Sequence, residues 1–344
     1  MNAATLKPPK VAASLVTLPP PPAGRAGWPW TEASPPIAPT RGDGSAWPRV
    51  SIVTPSFNQG RFLEETIRSI LLQGYPELEY LVIDGGSTDE TLEVIRKYEP
   101  WIDHWISEKD DGQADAINKG LARCTGEIFQ FINSDDYLAP GAIAAVAEAM
   151  AGHDVVAGVA VDFYPDGALT PLASRGLRPA NFVTRPPDYL YHQPGVWNRT
   201  ELTKALGGFD VRWRYKFDWV FQIRYCERWT RVRYIDDVLV YFRMHEASKT
   251  GSEGQRFWEE ELLARDVLCH TAIDRPLRAA LRRFVTRRHW RARVDELLSF
   301  AILSPRKAAA DLGFEALQAP LGRIDRYSLG ALRRLLMQCL ATRR

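Results

Sequence analysis

Residues 127–136 read Glu127-Ile128-Phe129-Gln130-Phe131-Ile132-Asn133-Ser134-Asp135-Asp136, an apolar run that breaks off at two adjacent carboxylates. The run has the length and the aromatic and β-branched content of a buried strand, which puts Asp135 and Asp136 at its C-terminal end. In open α/β sheets that end is where ligands bind. Adjacent carboxylates raise each other's pKa unless a cation or a set of donors compensates; a hard divalent ion, Mn²⁺ or Mg²⁺, is the usual compensator and commonly shares a diphosphate. Taken alone, Ser134-Asp135-Asp136 reads equally as a solvated turn ahead of Pro140. The neighbouring segments decide between the two.

Outward from this junction the chain alternates. Upstream, apolar periodicity predicts strands over 50–54, 79–84 and 103–107 and helices over 62–73, 89–98 and 113–123; downstream, an Ala-rich helix covers 140–150. This alternation predicts right-handed βαβ units and a mostly parallel sheet. Beyond Asp154 the pattern predicts strands over 155–163 and 193–198, a Gly207-Gly208-Phe209-Asp210 turn, a helix over 217–228, and strands over 232–235 and 239–243. Three regions result: a Pro-rich disordered leader over 1–48, an α/β domain over 49–250, and a basic, amphipathic helical extension over 251–344.

With 344 residues, 45% hydrophobic and 25% charged, the composition is that of a globular enzyme. A net charge of +2 argues against nucleic acid as a partner, although the tail after Gly254 is basic, with eighteen Lys/Arg against ten Asp/Glu. Cys124, Cys226, Cys269 and Cys339 stand in no CxxC or Cys/His spacing, which points to a reducing cytoplasm with neither a disulfide framework nor a zinc site. Pro8, Pro9, the run Pro19–Pro22, Pro29, Pro35, Pro36, Pro39 and Pro48 read as an extended, disordered leader. The chain has no uncharged apolar stretch of about eighteen residues, the length that would span a membrane.

Several further segments offer chemistry at the same sheet edge. Asp84-Gly85-Gly86-Ser87-Thr88-Asp89 follows the second strand; its glycines allow close backbone approach to a ligand, and its hydroxyls can equally cap the next helix. It is not a dinucleotide fingerprint, so a hydride-transferring dehydrogenase has no support. Thr54-Pro55-Ser56-Phe57-Asn58 places an aromatic at the first strand's end, for a base or for the core. Lys109-Asp110-Asp111-Gly112-Gln113 leads into a helix on which Asp115 and Asn118 share a face. Asp218, among Phe217, Trp219 and Phe221, is a carboxylate whose desolvation would suit a general base; it is also a candidate helix cap. His245 and Lys249, in one polar loop, are types that grip a diphosphate or complete a metal shell.

In this order the segments resemble the family 2 glycosyltransferases, which have the GT-A fold. The resemblance is carried by 51–58, 82–89, 112–120, 125–136, His192-Gln193-Pro194, Gly207-Gly208-Phe209-Asp210 and Phe217-Asp218-Trp219, and covers about 200 residues, Arg49 to Thr250. It implies a nucleotide-sugar site from Thr54, Pro55, Phe57, Asp84, Gly85, Asp115, Asn133, Ser134 and Asp135. It also implies a divalent metal, Mn²⁺ or Mg²⁺, at Asp135 and Asp136, which His245 would complete, and Asp218 as the catalytic base. Gln193, Trp219 and Lys249 are expected to contact acceptor or diphosphate. Asn133 stands where many members carry Asp, and Gly85 where many carry a second acid.

The function expected is inverting, metal-dependent transfer from a nucleotide sugar, a UDP sugar, to a hydroxyl of a polysaccharide or lipid-linked glycan. The rival from another class is a non-catalytic glycan-assembly scaffold that keeps the fold and the nucleotide. A sugar-nucleotide-forming nucleotidyltransferase would need a Gly-rich, basic first loop, and Pro55-Ser56-Phe57 offers none. In the tail, Arg282, Arg283, Arg287, Arg288, Arg291 and Arg293 interleave with Leu281, Phe284, Trp290 and Val294, a pattern that fits peripheral contact with an anionic membrane or a cap with an exposed arginine face.

Overall fold

An apolar run buried on both faces makes a central strand, and β1 (Val50–Ser56) is buried at every position. The computed structural model describes residues 13–184, 191–245, 254–300, 307–312 and 326–341. From β1 the chain alternates through α1 (Gly60–Leu71), β2 (Leu78–Asp84), α2 (Thr91–Tyr98), β3 (His104–Ser107), α3 (Gln113–Arg123) and β4 (Ile128–Phe131). It then runs β5 (Tyr137–Leu138), α4 (Ala142–Ala149), β6 (Val155–Phe163), β7 (Leu169–Ala173), α5 (Asn181–Thr184), β8 (Val196–Arg199), α6 (Thr200–Ala205), α7 (Phe217–Cys226) and β9 (Val232–Arg243).

Among the described residues these strands form one sheet in the order β3-β2-β1-β4-β8-β6-β9-β5, with β7 on β6. The pairs β1/β2, β1/β4, β2/β3 and β6/β9 are parallel, and β8 enters antiparallel to both β4 and β6. This is the mostly parallel mixed sheet, flanked by helices, that the alternation predicts. Pro55 is tolerated in a central strand because the pairing with β4 ends at Val53↔Phe131. The two strands expected over 232–243 are one: register shifts against β6 around Val159 absorb the exposed Asp236 and Asp237. The two-residue β5, too short for a periodic signal, pairs Tyr137 with Tyr241 and Leu138 with Val240.

The leader departs from expectation, since residues 13–48 are packed on the sheet's helices. The buried Arg68 of α1 organises them, donating from Nε to the Pro29 carbonyl (3.0 Å), from Nη1 to Pro19 (2.8 Å) and from Nη2 to Trp30 (2.8 Å). Nη1 also reaches the Tyr98 hydroxyl at 3.0 Å. Trp28 donates to the Leu138 carbonyl, Arg41 to that of Ala147, and Leu18, Trp30 and Trp47 are buried. Prolines remove backbone donors and lower the entropy lost on ordering, while the tryptophans among them supply the apolar area that a disordered segment lacks. Counting prolines alone misses this.

The chain divides into two compact units, Met1–Leu262 and Leu263–Arg344. In the second, Trp290, Val294, Ala308, Leu312, Ala331 and Leu335 form a core shared by the helix Arg275–Phe300, residues 307–312 and the helix Arg326–Ala341. Leu281, Trp290 and Val294 are buried, so these apolar members of the arginine-rich stripe turn inward, while Arg282, Arg283, Arg287 and Arg291 are exposed. No helix among the described residues is long and apolar enough to cross a membrane.

Replacing Arg68 by Met leaves three carbonyls without donors, and the expected loss of unfolding free energy is about 2–4 kcal/mol in urea titration. Limited proteolysis of the variant should cut within 13–34 before global unfolding. An unchanged urea midpoint would mean that the leader contributes nothing to the fold.

Candidate active site

The C-terminal ends of β1 to β4 converge on one edge, and Asp84 at the tip of β2 binds that edge together. Its carboxylate is fully buried and accepts from the Gly86 N–H (3.1 Å), the Ser87 N–H (3.0 Å), the Ser87 hydroxyl (2.5 Å) and the Ser107 hydroxyl on β3 (2.6 Å). Four donors offset the cost of a buried charge, so this carboxylate shapes the loop from inside. Gly86 has φ +83°, a conformation that L side chains rarely adopt. At Gly85 a Cβ would lie 2.6 Å from Asp110 Oδ2 and 3.3 Å from Phe57. The missing side chain therefore admits the Asp110 carboxylate beside the exposed Phe57 ring. Burial pushes the Asp110 carboxyl above the ordinary range, against the Gly112 N–H and Lys119. Asp110 lies in a segment read as a helix lead-in, and only the gap at Gly85 reveals it.

The acidic turn after β4 splits its two carboxylates. Asp136 is buried and faces inward, where Oδ1 accepts the Arg243 N–H at 3.0 Å and Oδ2 accepts from Asn133 Nδ2 at 3.2 Å. Burial, and then Asp135 beside it, hold the Asp136 carboxyl well above the ordinary carboxylate range. Asp135 Oδ2 lies 2.9 Å from His245 Nε2. Of the three residues expected to hold a metal, Asp136 is taken up by Arg243 and Asn133, while Asp135 and His245 meet. The β5/β9 pairing carries Arg243 and His245 to this turn, with Tyr137 and Tyr241 stacked at 4.8 Å. Arg243 completes it, donating Nε to the Asp135 carbonyl (2.9 Å) and pairing with Glu65 (2.7 Å) beneath Phe62 and Phe163.

Asn133 has a use that Asp could not serve. Its Oδ1 accepts from Gln113 Nε2 at 2.7 Å while its Nδ2 donates to Asp136, so one amide links α3 to the turn from both ends. A carboxylate at 133 would oppose that of Asp136.

The chemistry of the pair Asp135–His245 fits a divalent ion. A carboxylate oxygen and an imidazole nitrogen 2.9 Å apart are donor types that a divalent ion such as Mn²⁺ accepts. His245 Nδ1 is buried without a hydrogen-bond partner. Among the described residues no group of three or more His, Cys, Asp or Glu is suited to hold a metal. Two protein ligands leave positions for diphosphate oxygens and water, as is usual for such ions.

Asp218 lies in the first turn of α7, one residue past its start and not at the cap. Phe217 packs on Phe131 of β4 at 6.0 Å between centroids and on Phe209 at 5.8 Å, which seats the helix start against the strand that ends in the acidic turn. Desolvation raises the Asp218 carboxyl above its ordinary range, with Lys216 opposing, then the Trp219 N–H and, more weakly, His192. Its Oδ1 accepts the Trp219 N–H at 2.8 Å and its carbonyl lies 3.3 Å from the Tyr191 hydroxyl. His192 is held by Asp162 at 2.7 Å, a pair on which the sequence patterns are silent.

The remaining candidates serve as framework or lie apart. Thr54 meets the Tyr80 hydroxyl at 3.1 Å inside the core, Pro55 and Ser134 are buried, and the Ser134 carbonyl accepts from Thr66. Gln193 donates to Gln130 and to the Phe131 carbonyl, bracing β4. Trp219 is buried against Phe182. Asp115 pairs with Lys119 at 3.3 Å, and Asn118 clasps both the N–H and the carbonyl of Phe209, joining two of the motif segments. Lys249 lies outside the described residues.

Comparison with known proteins bears on the family and the fold. The profile described as Glycosyl transferase family 2 matches residues 51–213. A PGL/p-HBAD biosynthesis glycosyltransferase of Mycobacterium bovis is 30% identical over 190 residues, 52% of this chain and 70% of its own. The chain spans 41% of the length of the first curated relatives that it matches. Among solved structures, Staphylococcus aureus TarS with UDP-GlcNAc is similar at TM-score 0.54 and 21% identity, over 66% of this chain and 68% of its own. The mannosyltransferase PcManGT of Pyrobaculum calidifontis with GDP-Man and Mn²⁺ is similar at TM-score 0.54 and 20% identity, over 90% of each chain. The fold is GT-A.

Asn133→Asp should lower stability by about 1–3 kcal/mol at pH 7 in a chelator. Two facing carboxyls are raised on folding, so protonation favours the folded state and the penalty grows as pH rises through their folded pKa values. Urea titrations at pH 4.5 and 7.5 read this, and an equal penalty at both would refute the role given to Asn133.

Proposed function

The chain belongs to glycosyl transferase family 2, and on that ground we propose that it transfers a sugar from a nucleoside diphosphate sugar, a UDP sugar, to a hydroxyl of a glycan or lipid-linked acceptor with inversion at the anomeric carbon. The observation that carries the reading is Asp218: a half-buried carboxylate with a raised pKa, on a helix seated against the strand that leads to Asp135. A carboxylate raised in this way is, once deprotonated, a stronger base than an exposed one and better suited to accept a proton.

Asp218 takes the proton of the acceptor hydroxyl as its oxygen bonds to the anomeric carbon, and the bond to the diphosphate breaks on the opposite face. A single displacement inverts the centre and needs no covalent enzyme nucleophile. Asp135 and His245 are the residues that would hold a Mn²⁺ or Mg²⁺ ion, which when bound neutralises charge on the leaving diphosphate. Phe57 offers a face for the base and Asp110 a carboxylate beside it, while Asp84 and Asn133 keep these loops in place. The acceptor class rests on relatives such as the PGL/p-HBAD glycosyltransferase, the UDP donor and the metal on the ligands named for TarS and PcManGT. The free, buried Cys124, Cys226 and Cys269 suit a cytoplasmic site of action.

The test is nucleotide release from a panel of UDP and GDP sugars with lipid-linked acceptors, with and without Mn²⁺. Asp218→Asn should cut kcat by about 10²–10⁴ while leaving UDP binding intact. The wild-type rate should rise with pH through a midpoint above the ordinary carboxylate range, because Asp218 must lose its raised proton to act. Asp135→Asn and His245→Ala should weaken Mn²⁺ binding at least tenfold by electron paramagnetic resonance titration. Full activity in Asp218→Asn, or no nucleotide release from any donor, would overturn the reading.

A further inference from the structure

The helix that carries Asp218 starts without a cap of its own. Its N-cap residue, Lys216, makes no side-chain capping bond, and in the first turn it is Asp218 itself that accepts an N–H, that of Trp219. The acceptor comes from beyond the sheet, in the helix Gly254–Thr271, whose residues up to Leu262 belong to the same compact unit. The Glu260 carboxylate takes the backbone N–H groups of Arg214 (2.6 Å), Tyr215 (2.5 Å) and Lys216 (2.7 Å), three successive donors on one anion. The next residue, Glu261, pairs with Lys216 Nζ at 2.8 Å, with the side chains 3% and 8% exposed. That ammonium also lies 3.9 Å from the centre of the Phe257 ring. Phe257, Glu260 and Glu261 occupy one face at helical spacing.

Two buried charges in such a setting lose their hydration, and a hydrophobic pair would serve stability as well. Lys216 lies two residues before Asp218, so its charge bears directly on the candidate base. We propose that Glu260 and Glu261 of the C-terminal segment, with Lys216, are positioning residues for Asp218: Glu260 fixes the turn that presents the base, and Glu261 holds the Lys216 ammonium at a set place beside it. The inference rests on reading Asp218 as the base. It makes the first turns of the C-terminal helix a working part of the catalytic domain, whatever the rest of the extension does.

The groups that face Asp218 are Lys216 on its own segment, His192 with its partner Asp162, and the Tyr191 hydroxyl. His192, Asp162 and Tyr191 stay in place in every variant below, so differences between variants report on Lys216. A cation near a carboxylate favours the charged form, so removing it moves the carboxyl titration upward.

The test follows the Asp218 carboxyl directly, by ¹³C NMR titration of the full chain labelled at aspartate Cγ, with the signal assigned by its loss in Asp218→Asn. Lys216→Met should raise the Asp218 midpoint by roughly one pH unit, and Lys216→Arg should keep it near the wild-type value. Because Glu261 acts through Lys216, Glu261→Gln should move the midpoint in the wild-type background and leave it unmoved in Lys216→Met. If Lys216→Met does not fold, as judged by near-ultraviolet circular dichroism, Glu261→Gln alone must still shift the midpoint. An Asp218 midpoint unmoved by Lys216→Met, or by Glu261→Gln in the wild-type background, overturns the proposal and leaves a merely structural clamp. This readout needs no donor sugar: an active Asp218→Asn would sink the catalytic reading while leaving the titration result intact.

Discussion

The buried carboxylate of Asp84 is the constraint on which the rest of the site depends. It joins β2 to β3 through Ser107 and folds the Gly-Gly-Ser loop onto itself through Gly86 and Ser87. The same Ser87 hydroxyl accepts the Asn58 N–H at 2.7 Å, and the Asn58 side chain accepts that of Thr88 at 2.9 Å, so the β1 loop is stitched to the β2 loop. A buried anion must find donors, and the donors available are the loops that frame the site. The demand for charge compensation in the interior thereby fixes the shape of the surface where a nucleotide would lie.

A second set of contacts organises the acidic turn by the same logic. Asp136 looks inward and is compensated by a backbone N–H and an amide, so Asp135 is left to face His245. Arg243 spans the turn, bonding the Asp135 carbonyl and pairing with Glu65 on α1, and its guanidinium is sheathed by aromatic rings. Two adjacent aspartates, alike in sequence, therefore carry opposite duties. One holds the loop and the other meets His245.

Segments outside the alternating core contribute as much to its order as the core does to theirs. The strap of residues 13–48 satisfies Arg68 and covers α1, while Glu260 and Glu261 complete the start of α7 from the other end of the chain. In both places a long-range polar contact substitutes for a local one: the N-cap residue of α7, Lys216, makes no capping bond, and Arg68 finds carbonyls where no carboxylate is present among its partners. Such contacts are invisible to periodicity because their partners are 38 to 49 residues apart.

The alternation of strands and helices from Val50 to Phe163, the two-residue β5 apart, the parallel core and the position of the acidic junction at a strand's end are legible in the sequence. They follow from hydrophobic periods of 2.0 and 3.6 and from glycine-rich turns, which are local properties of the chain. The types of residue at the site are legible too, since Asp84, Asp135 and Asp218 each end or follow an apolar run. Their orientations are not. That Asp84 is spent on its own loop and on Ser107, that Asp136 is taken up by Arg243 and Asn133, that Asp110 fills the space left at Gly85, and that His245 and Glu260 arrive from distant segments are decided by which donors each buried group meets once the sheet is assembled. A sequence states the charge, and the fold states what must balance it.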